Sequence, residues 1–174
     1  MKRGWRATLA LVAVIGLIAG CAASANAEPR PAEDAPGALR IVGDAENPDS
    51  MSPQELRTLP AQTQTVTFDT KNGPQRHTYV GPRLIDVLEL SGVTGDSTDE
   101  HAHLAAAVVV TGADGYTAAV AWGEISPVFA ESPVLVAHTE DGEDLDRPRL
   151  VVPGDIKGGR HVSDLTELRF VNLR

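Results

Sequence analysis

The densest run of potential chemistry in this sequence is Gly154-Asp155-Ile156-Lys157-Gly158-Gly159-Arg160-His161. Two adjacent glycines remove Cβ atoms, so backbone N–H groups can approach a ligand closely. Lys157, Arg160 and His161 add donors and positive charge, and a guanidinium presents a planar fork matched to phosphate oxygens. Lys157, Gly158, Gly159, Arg160 and His161 are therefore the candidate binding residues, for a phosphate or another small anion. The competing reading is a surface turn whose basic residues pair with the chain's abundant carboxylates.

Other constellations carry less. His101-Ala102-His103 beside Asp96, Asp99 and Glu100 has the i, i+2 spacing that puts two imidazoles on one face of a strand, where both would meet a divalent metal. An exposed polar loop explains the same residues. Ser132, His138 and Asp141 make a triad on paper, without a nucleophile-elbow motif around the serine. His77 and His138 are isolated and read as structural. Tyr116 and Trp122 follow the Asp114-Gly115 hairpin signal and read as core aromatics. The run Glu140-Asp141-Gly142-Glu143-Asp144 lacks EF-hand spacing and reads as a solvated turn. No catalytic residue and no metal ligand is assigned on these patterns.

The elements that must hold these residues come from periodicity. Leu39–Val42, Thr63–Thr70, Arg76–Val80, Leu104–Thr111, Tyr116–Trp122, Val134–Ala137, Leu150–Val152 and Leu168–Val171 read as strands. Ser52-Pro53-Gln54-Glu55 reads as a helix start, with Ser52 as N-cap and Pro53 at the first helical position; Pro60 keeps that helix short. Gly81-Pro82-Arg83 opens a second helix whose apolar residues run from Leu84 to Leu90, ended by Gly92. A short helical turn fits Glu124–Phe129. Strands outnumber helices and several adjoin through tight turns, so the expected class is α+β with mixed, largely antiparallel sheets.

Three stretches divide the 174 residues. Residues 1–27 read as an export signal: Lys2, Arg3 and Arg6 precede the apolar run Ala7–Ile18, which is shorter than the ~20 residues of a membrane span. Leu17-Ile18-Ala19-Gly20-Cys21 has the form of a lipobox, and Cys21, the only cysteine, would become the lipidated first residue of the mature chain. Ala25-Asn26-Ala27 offers the alternative, release of a soluble protein after Ala27. Residues 28–38, rich in Pro, Glu, Asp and Ala, read as a flexible spacer, and residues 39–174 as one domain. The expected place is the cell envelope or periplasm, with a lipid anchor at the membrane. Loss of residues 1–20 removes three basic and no acidic residues and leaves 12 basic against 24 acidic ones, a net charge of −12. So acidic a domain is not suited to nucleic acid or anionic lipid surfaces. One cysteine excludes an internal disulfide.

Four segments in order resemble one family. Gly81–Gly92 is similar to a G-V-x-L-x-D-L-L-x-x-A-G segment, Thr111–Tyr116 to an A-x-D-G-Y hairpin, Pro133–Leu145 to a v-L-L-A-y strand and turn, and Arg149–Val162 to an l-R-L-V-V-P-G-D…G-G-R-x-V signature. These are segments of the sulfite oxidase-like molybdopterin-binding domain family, and the resemblance covers about residues 39–173. It implies that family's fold, a molybdopterin cofactor, and a place for the 157–161 loop near the pterin's phosphate. In catalytic members a cysteine thiolate before the first segment ligates molybdenum. Here that stretch, Thr63–Val80, holds no cysteine, and Val66, Thr67 and Phe68 cannot supply soft thiolate ligation. Such members also often carry a lysine shortly after the arginine, where this chain has Ser163 and Asp164. The resemblance is thus to the short, exported branch that lacks the ligating cysteine. It implies a cofactor- or small-anion-binding module accessory to an envelope redox system and not a self-sufficient sulfite oxidase. The alternatives are a protein-interaction module that has lost the cofactor, and a molybdenum oxidoreductase that holds its metal without a protein thiolate.

Overall fold

The computed structural model describes residues 36–43, 49–92 and 101–174. The signal, Cys21, most of the spacer and Asp96, Asp99 and Glu100 lie outside the described residues.

Two sheets form the domain. The first has the order β2-β1-β9-β5-β6, from β1 (Leu39–Val42), β2 (Asp49–Met51), β5 (Ala106–Gly112), β6 (Thr117–Ala121) and β9 (Leu165–Asn172). Its β1–β9 pair is parallel and the others antiparallel. The second is wholly antiparallel, with the order β3-β4-β7-β8, from β3 (Ala61–Thr70), β4 (Gly73–Pro82), β7 (Leu135–Glu140) and β8 (Glu143–Val151). Helices α1 (Pro53–Thr58), α2 (Leu84–Leu90) and α3 (Trp122–Ile125) are short, and a 3-10 turn covers Gly158–Arg160. The mixed, largely antiparallel α+β architecture is the expected one. Among the described residues no helix is long and apolar enough to cross a membrane.

The α1 cap forms as its sequence dictates. Ser52 Oγ accepts from the Glu55 N–H, and the Glu55 carboxylate accepts from the Ser52 N–H. The opening of α2 differs from expectation: Gly81 and Pro82 finish β4, and the helix begins at Leu84. Pro82 sits at the end of its strand, where the missing N–H costs nothing to the ladder. Strand β2 and the first half of β8 carry no alternating apolar pattern, and only pairing to a neighbour shows them.

The main core lies where α2 (Leu84, Ile85, Val87, Leu88) meets Val108 and Val110 of β5, Leu168 and Phe170 of β9, and Val136 and Leu150 from the second sheet. The second sheet is buried on its other face too. There Val66, Tyr79, Leu135, Ala137 and Val151 form a smaller cluster with Phe68 against it. Two-residue alternation therefore sends Arg149, next but one to Val151, and His77, next but one to Tyr79, toward that second face. The loop between β8 and β9 folds back over it: the Asp69 N–H donates to the Ile156 carbonyl at 2.7 Å, and Asp69 and Lys157 form a parallel bridge.

Candidate functional site

The second face of the β3-β4-β7-β8 sheet and the returning loop enclose a cleft of ≈ 390 Å³ lined by Phe68, Gln75, His77, Glu140, Arg149, Gly158 and His161. Pairing explains how β3 and β4 contribute. Phe68 lies opposite Gln75 and Val66 opposite His77, so these side chains share a face. Glu140 reaches the same face through an irregularity. Leu135 and Ala137 point to it, regular alternation would bring Thr139 next, and the register shift between Ala137 and Thr139 brings Glu140 there instead, opposite Tyr79.

The polar groups are tightly connected. Arg149 Nη1 donates to Glu140 Oε2 at 2.6 Å and to the Tyr79 hydroxyl at 3.3 Å, while Nε and Nη2 donate to Ser163 Oγ. The Tyr79 O–H donates to Glu140 Oε1 at 3.0 Å. Burial pushes the Tyr79 phenol up to about 12, with Arg149 opposing the shift and Glu140 adding to it, so near neutral pH Tyr79 keeps the proton that it donates to Glu140 while its oxygen accepts from Arg149. His77 Nδ1 lies 2.7 Å from Asp141 Oδ2 and 3.3 Å from Glu140 Oε1. Asp141 Oδ1 accepts from the Thr78 N–H at 2.8 Å, and this bond first, then His77, holds its carboxyl below the usual range.

The roof is aromatic. The Phe68 ring stacks on His77 at 5.9 Å between centroids and lies 4.6 Å from His161. His161 Nε2 is 3.1 Å from the Val152 carbonyl, so Nε2 carries the proton and Nδ1 is the acceptor. Nδ1 is buried without a partner, and burial lowers the His161 pKa.

The expected binding loop is thus placed at the cleft, but its parts separate. Gly158 and His161 line the cleft, whereas Lys157 and Gly159 are exposed. The space beside Gly158 is already filled, since a Cβ there would stand 2.7 Å from Phe68 Cδ2; beside Gly159 it is open. Arg160 faces away from Phe68's pocket and into a carboxylate clamp: Nε and Nη2 bond both Asp155 oxygens at 2.9 and 2.6 Å, and Nη1 bonds Glu124 at 2.7 Å. These bonds raise its pKa further. Glu124 in turn accepts from the Ala121 N–H, so the clamp ties the loop to the start of α3.

The other candidates are not assembled as their spacing suggested. His101 and His103 lie in a turn and not on a strand; His101 packs edge-on to Phe129, and His103 edge-on to Trp122 and Phe170. In the paper triad, Asp141 bonds His77, and His138 Nδ1 bonds Thr139. Trp122 is buried in the core as expected, but Tyr116 is exposed and its hydroxyl donates to the Gly159 carbonyl at 2.6 Å. Reading by sequence missed Phe68, His77, Glu140 and Arg149 as one group. Alternation in β3 and β4 was a usable signal for the first two; the register shift that aims Glu140 had none.

Against this geometry the comparisons with known proteins can be set. Residues 29–173 match the family model of the oxidoreductase molybdopterin binding domain. The chain belongs to that family. No curated protein sequence matches it. Among solved structures it is similar to the sulfane dehydrogenase SoxCD of Paracoccus pantotrophus, with a TM-score of 0.62 at 20% identity over 81% of this chain. The match spans 39% of that chain, and at this identity it shows the shared fold.

A family cofactor can be tested against the residues present. The described residues contain no cysteine, and their one sulfur is the buried thioether of Met51 in the main core. The cleft offers imidazole, carboxylate and guanidinium groups under a phenyl ring, which is not a donor set for thiolate-held molybdenum. The expected phosphate contact at Arg160 is taken by two carboxylates, and one of the two glycine positions is closed by Phe68. The residues in this arrangement do not fit the metal-bearing cofactor.

Proposed function

We propose that this domain is an exported, lipid-anchored binding module for a small ligand, accessory to an envelope redox system, and not a self-sufficient molybdenum enzyme. One observation carries the reading: a cleft lies against the 157–161 loop, Phe68 and two histidines line it, and residues 39–174 hold no cysteine. A small planar or anionic ligand entering there meets the Phe68 ring, the His77 edge and the Arg149 cation. Arg149 is anchored by Ser163, the residue standing near where catalytic members often have lysine. Binding at Lys157–His161 requires that an anion displace Asp155 or Glu124 from Arg160. A guanidinium so engaged gives up charge-assisted bonds to accept a new partner.

The closed state of that loop favours a second reading, a protein-interaction module that has lost the cofactor. Calorimetric titration of the purified chain with molybdopterin, and with phosphate as a surrogate, separates the two. The expected result is saturable binding without molybdenum above trace level and without sulfite oxidation. Binding by wild type that falls roughly ten- to a hundred-fold in Arg160→Ala places the anion at the loop. No heat with either ligand supports the interaction module. Molybdenum near one atom per chain, with turnover, overturns both.

A further inference from the structure

We infer that His77, Glu140 and Asp141 form a binding site for a first-row divalent transition ion of the zinc class, at the solvent-facing edge of the cleft. This goes beyond the small-ligand reading and stands without any pterin or anion. His77 Nδ1, one Glu140 oxygen and one Asp141 oxygen all lie within 4.8 Å of one another. The His77 distances are 2.7 Å to Asp141 Oδ2 and 3.3 Å to Glu140 Oε1. Ligands at roughly 2.0–2.2 Å from a tetrahedral zinc ion sit about 3.4 Å apart, so the His77–Glu140 pair already has that spacing and the His77–Asp141 pair must open by about 0.7 Å to admit an ion.

The surroundings aim the ligands. The oxygen of each carboxylate not facing His77 is held from outside: Glu140 Oε2 by Arg149 Nη1 at 2.6 Å, and Asp141 Oδ1 by the Thr78 N–H at 2.8 Å. The oxygens left over converge on one imidazole nitrogen, with Tyr79 donating to the Glu140 one. Outer groups that fix ligand orientation in this way are typical of metal sites. The backbone fixes the pair as well, since the Asp141 N–H donates to the Thr78 carbonyl at 2.7 Å on the strand that carries His77. Two carboxylates offset by Arg149 leave a net charge of −1 to receive a dication. His77 and Glu140 line the cleft, which provides entry and open positions for water. One imidazole and two carboxylate oxygens suit zinc and its neighbours, while calcium takes six to eight oxygens and magnesium a near-ideal octahedron.

The test is zinc titration of the full chain, purified in detergent without a polyhistidine tag, by calorimetry and by competition with a chelating dye. The expected result is one equivalent bound, weakened at least about tenfold in His77→Ala, because even outer-shell losses typically cost ten- to a hundred-fold. The double variant His101→Ala/His103→Ala is expected to bind as wild type. Unchanged affinity in His77→Ala, or loss in the double variant, overturns the site. X-ray absorption of the zinc-loaded wild type gives a second measure that needs no variant: one imidazole with oxygen donors is expected, and a shell with two or more imidazoles overturns the inference. Failure here leaves the small-ligand reading untouched, since pterin and phosphate titrations are run without zinc.

Discussion

Arg149 joins three elements through one side chain: β4 through Tyr79, β7 through Glu140, and the loop before β9 through Ser163. Its neighbour across the cleft, His161, has the opposite character, with one nitrogen bonded and the other sealed from water. Burial is the largest influence on His161 and lowers its pKa; Arg149 and Arg160 push the same way, against the Val152 carbonyl and Asp155. His138 is lowered as well, first by burial and then by Arg57. The sign follows from proton counts. In the unfolded chain an imidazole takes a proton near pH 6.5, while the folded chain resists it, so the unfolded state binds more protons and stability rises with pH in that range. Stability is therefore expected to fall as pH drops from about 7 through the unfolded value, and His161→Gln, which keeps an N–H for Val152, is expected to flatten the slope. Urea midpoints of both proteins at several pH values check this; parallel curves would show that His161 titrates alike in both states.

At the element scale, a single strand crossing carries much of the site. Gly81 passes so close to β7 that a Cβ would stand 2.3 Å from the Val136 carbonyl oxygen and 2.6 Å from Ala137 Cα. Those are backbone atoms and cannot swing aside, so Gly81→Ala is expected to cost more than about 2 kcal/mol, toward the upper range of overpacking. Because β4 and β7 carry His77, Tyr79 and Glu140, the same change is expected to reduce zinc affinity, whereas Gly142→Ala, at a turn with nothing within 4 Å, costs less and acts only through its positive φ. Chemical denaturation of the two variants compares them. Elements whose own residues dictate them were legible in the sequence: the Ser52 capping box, the Asp114-Gly115 and Asp141-Gly142 turns, and the apolar stripe of α2. Strand β2 and residues 143–149 were not, because their regularity comes from neighbours. Tyr116 was misjudged for a related reason: it lies just before β6 and bonds the Gly159 carbonyl from the surface instead of entering the core.

Over the whole molecule, the order of four weak motifs identified the architecture, whereas the site depended on a register shift and on where Arg160 turns, neither of which is written in residue types. The chain's location is a separate proposal resting on residues 1–38. Cys21 is the lone cysteine and closes Ile18-Ala19-Gly20-Cys21, behind a basic start and an apolar run too short for a span. The chain that follows carries a net charge of −12 once residues 1–20 are removed. An acidic surface is repelled by anionic lipid, which disfavours attachment by charge. In this proposal methylene burial by acyl chains on Cys21 supplies the affinity, and two or more chains are needed for stable anchoring. Palmitate label is accordingly expected in the wild type and absent from Cys21→Ala, which is also expected to leave the membrane fraction. High salt is expected to leave wild-type attachment unchanged, because screening acts on charge and not on buried acyl chains. A mature N-terminus at Glu28, with the protein soluble and unlabelled, would instead establish cleavage after Ala27.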